Sequence, residues 1–470
     1  MYISVFDLFK IGPGPSSSHA VGPMKASLDF IEKCKKNNIM QDIYTVKLNL
    51  YGSFALTMWG HNTHVAFQVG LMGYKPDEID PDLFPSFIEE IKRTGKLNFN
   101  REKLIVFSEE ENIICHKTKE LPYHSNGFIL SALSDNGKVI LSEEYYSIGG
   151  GFVKTREQMI QNREETAGEV PFLFSSWCQL RNICAAQKKE VWDIMWENET
   201  ALRSEKEVDD RLKRIREVML RGITRSLERK EEMPGNLGVR RRSSNLAKNI
   251  NHSDRLSPID DVLLWGLAMA EENASFGQVV TAPTNGSAGV IPGVVKYMTE
   301  YYGDDFDAYK KFMFAAGAVG MLCKINASIS GAGGGCQAEI GSAAAMAAAG
   351  LTAALGGNTD QCENAAVISL THNLGVICDS VGGLVQIPCI ERNAVNAAGA
   401  VVAARFALLE KGSGYLTIDQ VIRVMKQVGD DMNPIYKETS LGGLAKFADR
   451  GKPSGACGSC NLCPGAGGAL

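Results

Sequence analysis

The sequence predicts an α+β N-terminal domain over residues 1–155, an all-α domain over 176–450 and a cysteine- and glycine-rich tail over 451–470. Three observations predict it. Strand-like alternation marks the first 155 residues, and helical spacing takes over from residue 184. With 470 residues, 44% hydrophobic and 22% charged, the chain is also large enough for more than one core.

In the first domain, residues 44–56 (YTVKLNLYGSFAL), 97–108, 125–134 and 137–147 read as strands, and 19–37 and 63–73 as helices. Asp135-Asn136-Gly137 between two strand-like runs signals a hairpin. Two polar constellations stand out. In GPGPSSSHAVGPMKAS, residues Ser16, Ser17, Ser18 and His19 gather ahead of a helix that Pro23 can begin. Free N–H groups at a helix start favour anions, so these serines suit a carboxylate or phosphate; an N-cap with surplus serines is the plainer reading. In YGSFALTMWGHNTH, His61 and His64 follow a strand and a glycine. By itself a lone histidine is more often a surface or core residue.

Residues 153–175 are polar and mixed, as in an interdomain connection. An amphipathic helix or helix pair is expected over 184–229. The following segment breaks at Pro234, Gly235 and Gly238, and its Arg240–Arg242 run reads as a solvated loop or internal ion pairs. Helices dominate from 258, interrupted by the turn-rich loop TAPTNGSAG at 281–289.

Residues 324–392 hold no lysine or arginine between Lys324 and Arg392, yet contain Cys336 in GGGCQ, Cys378, and Cys389 in IPCIE, at intervals of 42 and 11. Such wide spacing suits a cofactor enclosed by a fold better than a compact zinc knuckle. Free cysteine also packs as a small buried hydrophobe, so the spacing alone leaves both roles open.

A net charge of −5 and a pI near 5.9 argue against nucleic-acid binding. The N-terminus lacks the charged and apolar regions of a secretory signal, and the run GSAAAMAAAGLTAALGG is too short and too weakly apolar to span a membrane, so it predicts buried, closely packed helices. Twelve cysteines then point to a reducing compartment, with the cytoplasm expected.

The phrases SISGAGGGCQAEIG, THNLGVICD and VQIPCIERNA resemble the cluster-binding core of the iron–sulfur L-serine dehydratases, or L-serine ammonia-lyases. PSSSH with VGPMKA, the YGS/ALT/GH/T pattern, YYSIGGGF, TAPTNG and TSLGGLA also resemble motifs of that family, in family order over roughly 3–450. The resemblance implies a 4Fe-4S cluster on Cys336, Cys378 and Cys389 and a substrate pocket lined by Ser16, Ser17, Ser18, Thr284, Asn285, Gly286 and Ser328. It further implies His61 as general base, with His19 the second choice, and L-serine as substrate. A homodimer is the expected assembly. Two departures stand out. His64 occupies a position where the family commonly has an acid, which leaves the partner that orients His61 undefined. The tail carries Cys457, Cys460 and Cys463, for which capping an open iron, binding a separate metal and forming a flexible appendage are competing roles. Two rivals to the iron–sulfur reading are a pyridoxal phosphate dehydratase using Lys324 with GAGGG as phosphate cradle, and a non-catalytic serine-binding or redox-sensing module.

Overall fold

Alternation in Thr45–Tyr51 (β1) buries Val46, Leu48 and Leu50 on one face. In the computed structural model, which describes residues 2–161, 168–410 and 414–448, β1 lies inside a five-stranded sheet. Its neighbours are Ile113–His116 (β2), parallel, and Gly127–Leu133 (β3), antiparallel. The sheet continues through Val139–Ser147 (β4) and Val153–Thr155 (β5), in the order β2-β1-β3-β4-β5. The expected hairpin joins β3 to β4, with Gly137 at φ +78° and the Ser134 N–H donating to Lys138 O at 3.0 Å. Helices Gly22–Lys36 (α1) and Thr63–Leu71 (α2) pack on each other and share a core with this sheet around Phe30, Phe54, Phe67 and Phe128. Residues 1–155 are thus α+β, as the sequence predicts.

Two expected strands are shorter than read. The run 44–56 is a strand only to Tyr51, after which Gly52–Thr57 turns helical. Gly52 has φ +52°, and a Cβ there would meet Ser125 O at 2.2 Å, so the backbone bends where only glycine fits. The run 97–108 splits into Lys96–Phe99 and Lys103–Val106, a separate two-stranded ribbon turned at Asn100 and Arg101, both with positive φ. Residues 153–175 begin with edge strand β5 and the short helix Arg156–Ile160, closed by a Thr155/Gln158 capping box.

The second half is helical. The stretch expected as one helix or a pair is three: Trp177–Gln187, Val191–Leu202 and Glu205–Glu228 (α3), broken at Lys188 with φ +55° and at the Ser204 cap. Then follow Ser257–Ala274 (α4), Val290–Tyr302 (α5), Phe306–Asn326 (α6), Ser342–Ala354 (α7) and Cys389–Leu409 (α8). The alanine-rich α7 is buried on almost every side among α5, α6 and α8. A helix apolar all round belongs in a core, and small side chains let its neighbours close in. No helix among the described residues is long and apolar enough to cross a membrane. The arginine run serves internal pairs: Arg241 is buried beside Ser226 and Glu231, and Arg242 pairs with Glu391 at 2.7 Å.

The chain's first stretch crosses to the helical half. Tyr2, Val5 and Leu8 sit in the helical core, and the Glu199 carboxylate accepts from Tyr2 Oη, Ser4 Oγ and Val5 N at 2.8–2.9 Å. Ile11–Pro13 then pairs antiparallel with Gln278–Val280. This two-stranded ribbon brings the segment starting at Ser16 alongside the TAPTNG loop.

Candidate active site

Beyond the ribbon, Ser17–Val21 forms a wide turn, with Gly22 N–H donating to Ser17 O, and runs into α1. The three serines are buried there, and Ser16, which precedes the turn, makes no side-chain cap. Ser18 Oγ lies 2.9 Å and Ser16 Oγ 3.3 Å from His19 Nδ1. From the turn after β1, Thr57 Oγ1 lies 3.0 Å from both His19 Nε2 and His61 Nδ1, and donates to Ser53 O at 2.8 Å. A threonine hydroxyl has one hydrogen and two lone pairs. With the hydrogen on Ser53 O, it accepts from both rings: His19 is protonated on Nε2, leaving Nδ1 for the serine hydroxyls, and His61 is protonated on Nδ1, leaving Nε2 as a lone pair. Burial lowers both imidazole pKa values, that of His61 to about 4, so both are neutral at pH 7. His64 takes no part in this network. It packs on Trp59, and Thr57 fills the orienting position that the sequence left undefined.

Cys336, Cys378 and Cys389 are all buried and come from three separate elements: the glycine run, the segment bridged to Lys437, and the first turn of α8. Burial pushes all three thiols up; Cys336 adds to the rise at both Cys378 and Cys389, and Cys389 adds to it at Cys378. Influence of that kind acts between neighbouring groups, which puts the thiols in one region of the fold. Arg392 opposes it at Cys336 and is fixed by Asp379 and Ile377 O, each at 2.9 Å. The described cysteines form no disulfide. A Cβ at Gly331 would lie 2.7 Å from Glu339 Oε2 and 3.5 Å from Cys378 Sγ, so only glycine lets the backbone pass this close to the acid and the sulfur. Three soft, buried sulfurs from three separate elements are the residues here that would suit a thiophilic metal centre.

The TAPTNG turn closes another side. Asn285 Nδ2 donates to Pro13 O at 2.8 Å, while its buried Oδ1 has no partner among the described residues. A Cβ on Gly286 would lie 3.1 Å from both Glu339 oxygens, and Thr284 Oγ1 contacts Ser287 Oγ at 3.2 Å. Ser328 closes a local turn by accepting from Ser330 N, whereas the buried Ser330 Oγ is unpartnered among the described residues. The ammonium of Lys324 donates to Ile148 O at 3.2 Å and lies 4.7 Å from the Phe152 ring centre. Cys457, Cys460 and Cys463 lie outside the described residues.

Sequence reasoning missed two acids and a threonine. Burial pushes Glu339 up to about 7. Glu438 is raised further, by burial first and then by Glu339, with Asn126 and the Ala332 N–H opposing. Its Oε1 lies 3.8 Å from His19 Nδ1, and ligand atoms of His19, His61 and Glu438 all lie within 4.8 Å of one another. Glu438 follows Lys437, which is bridged to Cys378, so the segment that brings a carboxyl group to the imidazoles is also paired with a thiol. Glu339 left a signal, being the lone acid between Lys324 and Asp360. Thr57 and Glu438 left none.

Residues 4–158 match the serine dehydratase beta chain family and residues 186–445 the serine dehydratase alpha chain family. Among curated proteins, the chain is 43% identical to the L-serine dehydratase of Streptomyces coelicolor, over 95% of this chain and 99% of that one. It is 45% identical to L-serine dehydratase TdcG of Escherichia coli, over 94% and 98%, and 39% identical to the L-serine dehydratase of Helicobacter pylori, over 94% and 98%. The chain therefore belongs to the serine dehydratase family, with the beta-chain and alpha-chain portions joined in one polypeptide.

Proposed function

We propose that the protein is an L-serine dehydratase, a lyase that converts L-serine to pyruvate and ammonia with a 4Fe-4S cluster held by Cys336, Cys378 and Cys389. What supports the reading is that three buried thiols and two buried imidazoles are linked through one segment, Lys437 being bridged to Cys378 while Glu438 approaches His19. The names of the relatives supply the substrate. Bound there, such a cluster supplies an iron short of one protein thiolate, a Lewis acid for the carboxylate and hydroxyl of serine.

The remaining chemistry belongs to the chain. His61 Nε2 takes the α-proton, a contribution of roughly 10² to 10⁴ in rate. Burial keeps that nitrogen unprotonated at neutral pH, and Thr57 holds the ring in the matching tautomer. Ser16, Ser17 and Ser18, with the TAPTNG turn, surround the substrate with hydroxyl and amide donors that suit its carboxylate. Enclosure keeps bulk water from the elimination step, and aminoacrylate released from the site tautomerises and hydrolyses to pyruvate and ammonia. A reducing cytoplasm suits such a site, and a homodimer is the assembly we propose.

Anaerobic purification with iron and sulfide analysis, followed by a pyruvate assay, tests the reading. Pyruvate formed from L-serine by iron-loaded protein, and lost in His61→Ala, is the expected result. Turnover in iron-free protein, or none in loaded protein, contradicts it.

A further inference from the structure

Serine presents a carboxylate, a hydroxyl and an ammonium. Taking an ammonium out of water without a counter-charge is costly, so an enclosed site must supply an anion for it. Two buried acids are available, Glu339 and Glu438; burial favours their neutral form in the empty site, and an ammonium entering beside one of them draws it back to the carboxylate. Glu339 sits between the TAPTNG turn and the glycine run, where its oxygens occupy the space a Cβ at Gly286 or Gly331 would need. Glu438 sits on the imidazole side. The α-proton and the ammonium hang on the same carbon, so the group that receives the ammonium must neighbour the base.

We infer that Glu438 receives the α-ammonium of the substrate and so selects an amino acid over the corresponding hydroxy acid; the inference rests on the serine dehydratase reading. Glu438 Oε2 is buried and has no hydrogen-bond partner among the described residues, although Asn126 and the Ala332 N–H lie close enough to the carboxyl group to favour its ionised form. His19 does not satisfy the carboxylate, because its Nδ1 lies 3.8 Å away and faces the hydroxyls of Ser18 and Ser16. The backbone holds Glu438 firmly for this task. The residue adopts φ +57°, its carbonyl accepts from Ser53 Oγ at 3.0 Å, and Cys378 N–H donates to the nearby Tyr436 O at 2.9 Å. A non-glycine residue in left-handed backbone, tied at once to the imidazole half and to a thiol segment, is the kind of strained position found at ligand clamps.

The test compares wild type, Glu438→Gln and Glu438→Asp after anaerobic reconstitution. L-glycerate, which carries a hydroxyl where serine carries the ammonium, is the probe. In Glu438→Gln the KM for L-serine is expected to rise by about 100-fold, with iron and sulfide content and the inhibition constant of L-glycerate unchanged. Glu438→Asp, which keeps the charge, recovers part of the affinity. A KM within about threefold of wild type, or a KM that rises in step with the glycerate constant, overturns the inference. Should the glutamine variant lose its iron, wild type decides. Glycerate binding about 100-fold weaker than serine sustains the inference, and equal binding overturns it. Wild type that forms no pyruvate overturns instead the serine dehydratase reading beneath it.

Discussion

Thr57 has one hydroxyl hydrogen and two lone pairs, and its three contacts use all of them. Replacing it with valine keeps the shape but leaves two buried ring N–H groups unpaired, at about 1–3 kcal/mol each. It also frees His61 to take the other tautomer. Thr57→Val is therefore expected to lower kcat by about 10- to 100-fold with KM and iron content little changed, and Thr57→Ser to restore it; steady-state kinetics with iron analysis would show this, and an unaltered kcat would count against it. The histidines also set an acid limit on stability. Burial lowers the pKa of His61 and of His124 to about 4. Below the unfolded value near 6.5 the unfolded chain takes up protons that these folded imidazoles refuse, so stability falls as pH drops from about 6.5 toward 4. The loss is on the order of 3 kcal/mol for each ring. Denaturant midpoints measured between pH 7.5 and 5 should decline accordingly, whereas a flat profile would show that the folded rings take up protons as readily as the unfolded chain does.

At the scale of elements, the site depends on short glycine-shaped segments between longer ones. Gly331→Ala would push a methyl against Glu339 Oε2 and toward Cys378 Sγ without touching the helical core. The variant is expected to fold, with an unfolding midpoint close to wild type, yet to lose most of its bound iron and pyruvate formation; full iron content would show that Cys378 and Glu339 tolerate the methyl. The long elements were legible in the sequence because periodicity reports burial: α5 matches the run VIPGVVKYMTEYY end to end, and the Asp135–Gly137 turn lies between β3 and β4. The strand ends were less legible. The apolar run after Gly52 continues the β1 pattern, so only the glycine, whose Cβ would meet Ser125 O, marks the switch to the helix that delivers Thr57. The cysteines and histidines were visible as residue types in unusual settings. Glu438 and Thr57 were not, because ordinary residues gain their meaning from partners hundreds of positions away or on a turn the pattern concealed.

At the scale of the molecule, neither half holds the whole site. Imidazoles and serines come from the α+β half, and thiols, Glu339 and Glu438 from the helical half. The Ile11–Pro13 ribbon and the Glu199 anchor lock the two together. The candidate site therefore draws on both the beta-chain and the alpha-chain portions. The central claim is that three sulfurs far apart in sequence hold one cluster. Iron and sulfide counted in anaerobically reconstituted Cys336→Ala, Cys378→Ala and Cys389→Ala, beside Cys34→Ala and Cys362→Ala from elsewhere in the fold, tests it most directly. About four irons per chain are expected in wild type and in the two distant variants, with a collapse in each of the three site variants; full iron in any one of those three would mean that its sulfur holds no iron.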